Sequence, residues 1–134
     1  MRIHFFVPMR LPTVTLQEHG VATNKKSKGY IYDTQEIKAA KVLFRDRLAQ
    51  FAPKEPLRGP VKLHTVWCYY SEEHGPGEWK ITKPDTDNSL KLLKDVMTKL
   101  GFWKDDAQVC SELTEKIWND LPGLYVSVEL LALP

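Results

Sequence analysis

The sequence predicts a mixed α/β domain of the α+β kind, in the order β-α-β-α-β-β, with two helices packed on one mixed sheet. Three observations predict it. Apolar residues alternate over four segments, near residues 3–7, 61–70, 108–118 and 124–131. Two intervening stretches carry apolar residues at helical spacing. The chain has 134 residues, 43% hydrophobic and 27% charged, which fits one core and a single small domain over residues 1–134. No apolar run approaches the roughly 20 residues of a membrane helix.

The first strand rests on Ile3, Phe5 and Val7 alternating with His4 and Phe6. With Pro8 and no small-residue cleavage site, Met1–Met9 does not read as a secretory signal. The cysteines Cys68 and Cys110 make neither a disulfide framework nor a C-x-x-C pair, so a cytoplasmic location is expected. Pro12, Gly20 and Gly29 punctuate an irregular stretch, a flexible basic loop over about residues 9–30 that includes Asn24, Lys25, Lys26 and Lys28. A loop this long is either a solvated segment or a substrate arm.

Asp33-Thr34-Gln35-Glu36 reads as a capping box, with Asp33 bonded to the Glu36 amide. Ile37, Ala40, Phe44, Leu48 and Phe51 follow at helical spacing, and Pro53 ends the helix. Lys38, Lys41 and Arg45 form a basic stripe on another face. Residues 61–70 carry apolar side chains on both faces, as a strand central in its sheet does. Leu90, Leu93, Val96, Met97 and Leu100 make the second helix, stopped by Gly101. Strands over Gln108–Trp118 and Leu124–Leu131 complete the pattern, and the turn at residues 119–123 predicts that they form a hairpin.

Net charge is only +2, yet it is unevenly shared. Residues 1–54 hold 10 Lys+Arg against 4 Asp+Glu, and residues 55–134 hold 9 against 13. A basic half suits phosphate and an acidic half suits a cation. The acidic side chains that matter lie in residues 83–109. In an extended segment Asp85 and Asp87 share one side, just ahead of the helix, and Lys91 sits one turn beyond Asp87. Asp105 and Asp106 follow the helix end. Carboxylates brought together need a compensating cation, and Mg2+ takes such oxygen ligands while keeping waters for phosphate to replace. Either Asp85 or Asp87 reads equally well as an N-cap, and Asp105-Asp106 as a solvated turn. The histidines His4, His19, His64 and His74 have no ligand spacing, and Trp79 and Trp103 flank the acidic stretch as core or rim aromatics.

Asp85-Thr86-Asp87-Asn88, Lys91 three residues on, and Gly101-Phe102-Trp103-Lys104-Asp105-Asp106-Ala107-Gln108-Val109 together resemble the composite motif of the RusA-type Holliday junction resolvases, Asp-x-Asp-Asn, an early helical lysine, then Gly-Phe-x-x-Asp-Asp-x-Gln-Val. The resemblance is strong over about residues 80–118. It implies a RusA-like fold and a magnesium-dependent, structure-selective endodeoxyribonuclease that resolves four-way junctions by paired symmetric nicks in DNA recombination and repair. Asp85, Asp87 and Asp106 match the family's essential metal-binding carboxylates, Asp105 their less critical neighbour, Lys91 the catalytic lysine, and Asn88 a supporting residue. The implied cofactor is Mg2+, with Mn2+ as a substitute, and the implied partners are branched DNA and a second subunit of a homodimer. DNA contacts are expected from Lys25, Lys26, Lys28, Lys38, Lys41 and Arg45. Pro84 stands where some members carry a basic residue, so Lys80 or Lys83 is expected to take over that contact. Two other functions share these features: a non-catalytic nucleic-acid binding module, and a less selective flap or branched-DNA nuclease.

Overall fold

The computed structural model describes residues 1–13, 20–22, 30–32 and 34–132. In chain order the elements are β1 (Arg2–Pro8), β2 (Gly20–Ala22), β3 (Tyr30–Tyr32), α1 (Gln35–Leu48), β4 (Val61–Tyr69), α2 (Thr86–Leu100), β5 (Val109–Trp118) and β6 (Gly123–Leu130). Single 3-10 turns follow α1 at Ala49–Phe51 and precede β5 at Asp106–Gln108. The main sheet has the order β1-β6-β4-β5. Only β4 and β5 run parallel; β1 with β6 and β6 with β4 are antiparallel. The mixed sheet with two helices is the expected fold, and β4 is central as its two apolar faces predict.

One connection differs from expectation. β5 and β6 are not a hairpin, because β4 lies between them and pairs with both. The segment from 119 to 122 steps over the end of β4, where the Asn119 amide donates to the Tyr69 carbonyl at 2.7 Å. Turn residues report that the chain reverses direction; they do not say which strand it returns beside. The loop over residues 9–30 also holds more order than expected, since β2 and β3 pair antiparallel within it. Three-residue strands are too short to leave a readable alternation. Asn24, Lys25, Lys26, Lys28 and Asp33 lie outside the described residues.

Register places the core on one face of the sheet. Ile3, Phe5 and Val7 stand beside Val128, Val126 and Leu124, which stand in turn beside Leu63, Thr65 and Trp67. The helices contribute Ile37, Ala40, Phe44 and Leu48 from α1, and Leu90, Leu93, Val96 and Met97 from α2. The Phe44 ring meets Trp67 edge-on at 5.9 Å, and Phe5 stacks on Phe51 at 4.1 Å. The other face is more polar: His64 Nε2 bonds Glu115 Oε1 at 2.8 Å, and Arg2 donates to Ser127 and Tyr125.

Both helices start and stop for local reasons. At α1 the cap is Thr34, whose Oγ1 accepts from the Ile37 amide at 3.2 Å, one residue later than the expected cap at Asp33. α2 ends at Gly101, whose φ of 85° is the left-handed conformation that closes a helix at low cost only for glycine. The amides of Gly101 and Phe102 then satisfy the last carbonyls, at Thr98 and Met97.

Candidate active site

The start of α2 is built by two lysines. Residues 77–80 run along the outer edge of β5, with the Lys80 amide on the Lys116 carbonyl and the Trp118 amide on the Glu78 carbonyl. This directs the Lys80 side chain inward. Its Nζ lies 4.7 Å from the Trp118 ring centre and 5.1 Å from that of Tyr69. There it donates to Thr82 Oγ1 at 2.6 Å, to the Lys83 carbonyl at 2.5 Å and to the Thr82 carbonyl at 3.3 Å. Lys116 Nζ reaches the same loop, at the carbonyls of Thr82 and Pro84. Two cations therefore hold the backbone of residues 82–84, immediately before Asp85.

Asp85 is the N-cap of α2, in extended backbone, and its carbonyl accepts from the Ser89 amide at 3.2 Å. Its carboxylate makes no capping hydrogen bond. A carboxylate at this position ordinarily bonds an open amide of the first turn, a contact whose loss costs about 0.5–2 kcal/mol. Asp85 stays exposed instead. Asp87 lies inside the first turn rather than ahead of the helix, exposed, with one oxygen accepting from the Asn88 amide at 2.9 Å. Asn88 and Ser89 are buried behind it. Lys91 is exposed one turn further along. Two carboxylates and a lysine thus share the open beginning of one helix.

The second acidic pair is elsewhere. Asp105 caps the 3-10 turn through its Oδ1, which accepts from the Ala107 amide at 2.9 Å, and Asp106 stands exposed as the first residue of that turn. Gln108 secures the turn: its Oε1 accepts from the amides of Lys104 and Asp105, and its Nε2 donates to the carbonyls of Leu57 and Gly59. This turn follows the far end of α2, a 15-residue helix about 22 Å long. Asp85 and Asp87 therefore do not meet Asp106 within one chain, and among the described residues no three His, Cys, Asp or Glu side chains gather to hold a metal. The expected gathering of three carboxylates is therefore not seen among the described residues of one chain: Asp85 and Asp87 lie at the start of α2, and Asp106 follows its far end.

The basic residues divide similarly. Lys80, expected on DNA, is 8% exposed and committed to its own loop. Burial first, and the charge of Lys116 second, pull its ammonium below the ordinary lysine value. Lys83 is exposed. On α1, Lys41 bonds Asp95 of α2 at 3.2 Å, so it joins the helices; Lys38 and Arg45 stay exposed, with Arg45 Nε 3.6 Å from Asp46. A cleft of about 720 Å³ opens at the acid-pair end of the sheet, lined by Arg10, Tyr69, Lys80, Trp118 and Asp120 among others. Arg10 and Lys116 were not among the expected site residues. Lys116 left no signal in the sequence: alternation along β5 groups it with Glu112 and Thr114 rather than with Leu113 and Ile117, and the register beside Trp67 is what turns it to the core-facing side.

The family model for Endodeoxyribonuclease RusA matches residues 12–129. A protein of Lactococcus phage r1t named crossover junction endodeoxyribonuclease rusA is 32% identical over 122 residues, covering 89% of this chain and 90% of that relative. No described helix is long and apolar enough to cross a membrane.

Proposed function

The chain belongs to the RusA endodeoxyribonuclease family, and from that premise we propose that it resolves four-way DNA junctions by paired, symmetric, magnesium-dependent nicks in recombination and repair. The observation that carries this reading is the carboxylate of Asp85, which occupies a capping position without capping. The reading of these aspartates as caps and turn residues fits Asp105, whose oxygen does cap, and does not fit Asp85.

Asp85 and Asp87 offer exposed, hard oxygen donors, a donor set suited to Mg2+ or Mn2+. When bound there, such a cation supplies Lewis acidity to a phosphodiester and lowers the pKa of water. The chain's own groups do the rest. Lys80 and Lys116 fix the backbone ahead of Asp85. Lys91 places a cation one helical turn from Asp87, suited to neutralising charge that builds on the phosphate in the transition state. Lys83, Lys38 and Arg45 are exposed cations for the DNA backbone, whose contacts weaken with salt.

Among the described residues Asp106 does not gather with the pair in one chain. In a homodimer, Asp106 of the partner subunit completes the set, and Asp105 steadies its turn. A two-fold dimer then carries two equivalent sites, one for each strand of the paired nicks.

Cleavage of a labelled synthetic junction tests the reading. Wild type is expected to cut with Mg2+ and to stop with chelator. Asp87→Asn is expected to lose at least about 100-fold in rate, the scale of several kcal/mol of charge stabilisation, while junction binding persists. Equal cutting of plain duplex, or wild-type cutting by Asp87→Asn, would reject it.

A further inference from the structure

The cleft of about 720 Å³ at the acid-pair end of the sheet lies within the size range of small-ligand sites. Backbone bonds hold its walls: the Met9 amide donates to the Pro122 carbonyl at 3.2 Å, and the Asn119 amide to the Tyr69 carbonyl at 2.7 Å. The segments that carry Arg10 and Asp120 are thereby tied to each other and to the end of β4. Leu11 and Tyr69 are buried and give the cleft an apolar floor, while Arg10, Tyr70 and Asp120 are exposed along it. Two of its rings are already engaged. His74 stacks on Trp118 at 4.4 Å, and the Lys80 ammonium lies over both Trp118 and Tyr69. Tyr70, 53% exposed, is the lining ring most open to a further stack. Lys80 also joins this cleft to the acid pair, since its ammonium donates to the Lys83 carbonyl, two residues ahead of Asp85.

We propose that this cleft takes one unstacked nucleotide of the DNA, next to the phosphate that is cut. Its base lies on Tyr70, an exocyclic amino group of that base donates to the Asp120 carboxylate, and Arg10 meets a neighbouring phosphate. The inference rests on the function proposed above, to which it adds a subsite that reads a base. Shape and charge both point to a nucleotide. A flat base suits an exposed tyrosine ring, and an anionic backbone suits an exposed arginine. A carboxylate only accepts hydrogen bonds and repels phosphate, so Asp120 meets the base end of the ligand and favours bases that carry an amino group. Thymine has none. A base in an intact duplex must be extruded to enter, which costs least where pairing or stacking is already broken, as at an opened branch point.

Photo-cross-linking and cleavage together test the subsite. Junctions carrying iodocytosine at single positions around the branch point are bound in chelator and irradiated, and the cross-linked peptide is mapped. Wild type is expected to cross-link through Tyr70 from one position, beside the phosphate that it cuts in Mg2+. With each of the four bases placed there in turn, thymine is expected to be cut several-fold more slowly than the rest. Tyr70→Ala is expected to lose about 10-fold in cleavage rate, the scale of one base–aromatic stack, and Tyr70→Phe to retain the rate. Asp120→Asn is expected to erase the disadvantage of thymine, which a merely structural role would leave in place. Both side chains are exposed, and unaltered melting curves check that the variants fold. Cross-links confined to peptides outside the cleft, a wild-type rate in Tyr70→Ala, or unchanged base discrimination in Asp120→Asn overturns the proposal. A protein that cross-links through Tyr70 yet cuts no junction upholds the subsite and rejects the nuclease reading; one that cuts with Mg2+ and never cross-links in the cleft rejects the subsite alone.

Discussion

A lysine ammonium ordinarily stays in water; that of Lys80 lies between two aromatic rings and against three oxygens of its own loop. Replacing it with methionine keeps the packed stem and removes the donors. Loss of hydrogen bonds from a charged group costs about 1.5–3 kcal/mol, so Lys80→Met is expected to lose about that much stability in urea titration. The pH dependence gives a second readout. The folded pKa of Lys80 lies below its ordinary 10.5, so between the two values the unfolded chain binds more protons and stability rises with pH. Wild type is expected to gain stability through that alkaline window, and Lys80→Met to lack the gain. The measurement belongs below pH 10. Above it Tyr69, whose phenol burial pushes up to about 12 against a weaker pull from Ser89, stays protonated only when folded, and stability falls again. Nothing in the local sequence distinguishes Lys80 from the surface lysines around it, because its burial depends on Tyr69 and Trp118, 11 and 38 residues away.

The 3-10 turn before β5 is three residues long and too short to hold itself. Gln108 holds it, with its side-chain oxygen on two amides of the turn and its nitrogen on the carbonyls of Leu57 and Gly59. Gln108→Ala leaves these groups to water and is expected to cost about 1–3 kcal/mol. It is also expected to slow junction cleavage more than it weakens junction binding, because Asp106 rides on the turn; equal losses in both would make Gln108 merely structural. At this scale the sequence was most legible where one element declares itself. The apolar stripe of α2 and its Gly101 stop, the alternation of β4, and the extents of β5 and β6 to within a residue or so all followed from periodicity. What did not follow were pairings. β4 separates β5 from β6 because α2 returns the chain parallel to β4, and no residue at 119–123 encodes that neighbour. The Asp85–Asp87 pair was legible as motif and spacing. Its separation from Asp106 was not, because the length of α2 alone does not fix which way residues 101–106 lead from its end.

Taken whole, the molecule has a near-neutral charge of +2 that conceals a basic first part and an acidic remainder. Four of the acids are Asp85, Asp87, Asp105 and Asp106, set at the two ends of α2. A chain that splits its acid set in this way makes a specific prediction about mixtures. Asp87→Asn and Asp106→Asn are each expected to be inactive as homodimers, since every site lacks one ligand. In a heterodimer of the two, one composite site carries both changes and the other carries none. With random pairing half the dimers are mixed, and about a quarter of all sites are restored. Co-expressed and purified through two different tags, the heterodimer alone has one working site per junction. It is expected to nick one strand and leave the opposing strand whole. If instead each chain contained its full site, both sites of the heterodimer would be broken and cleavage would stay at the level of the separate variants. Nicked, unresolved junctions on a denaturing gel are therefore the signature of a site shared between subunits, and an inactive heterodimer would reject it.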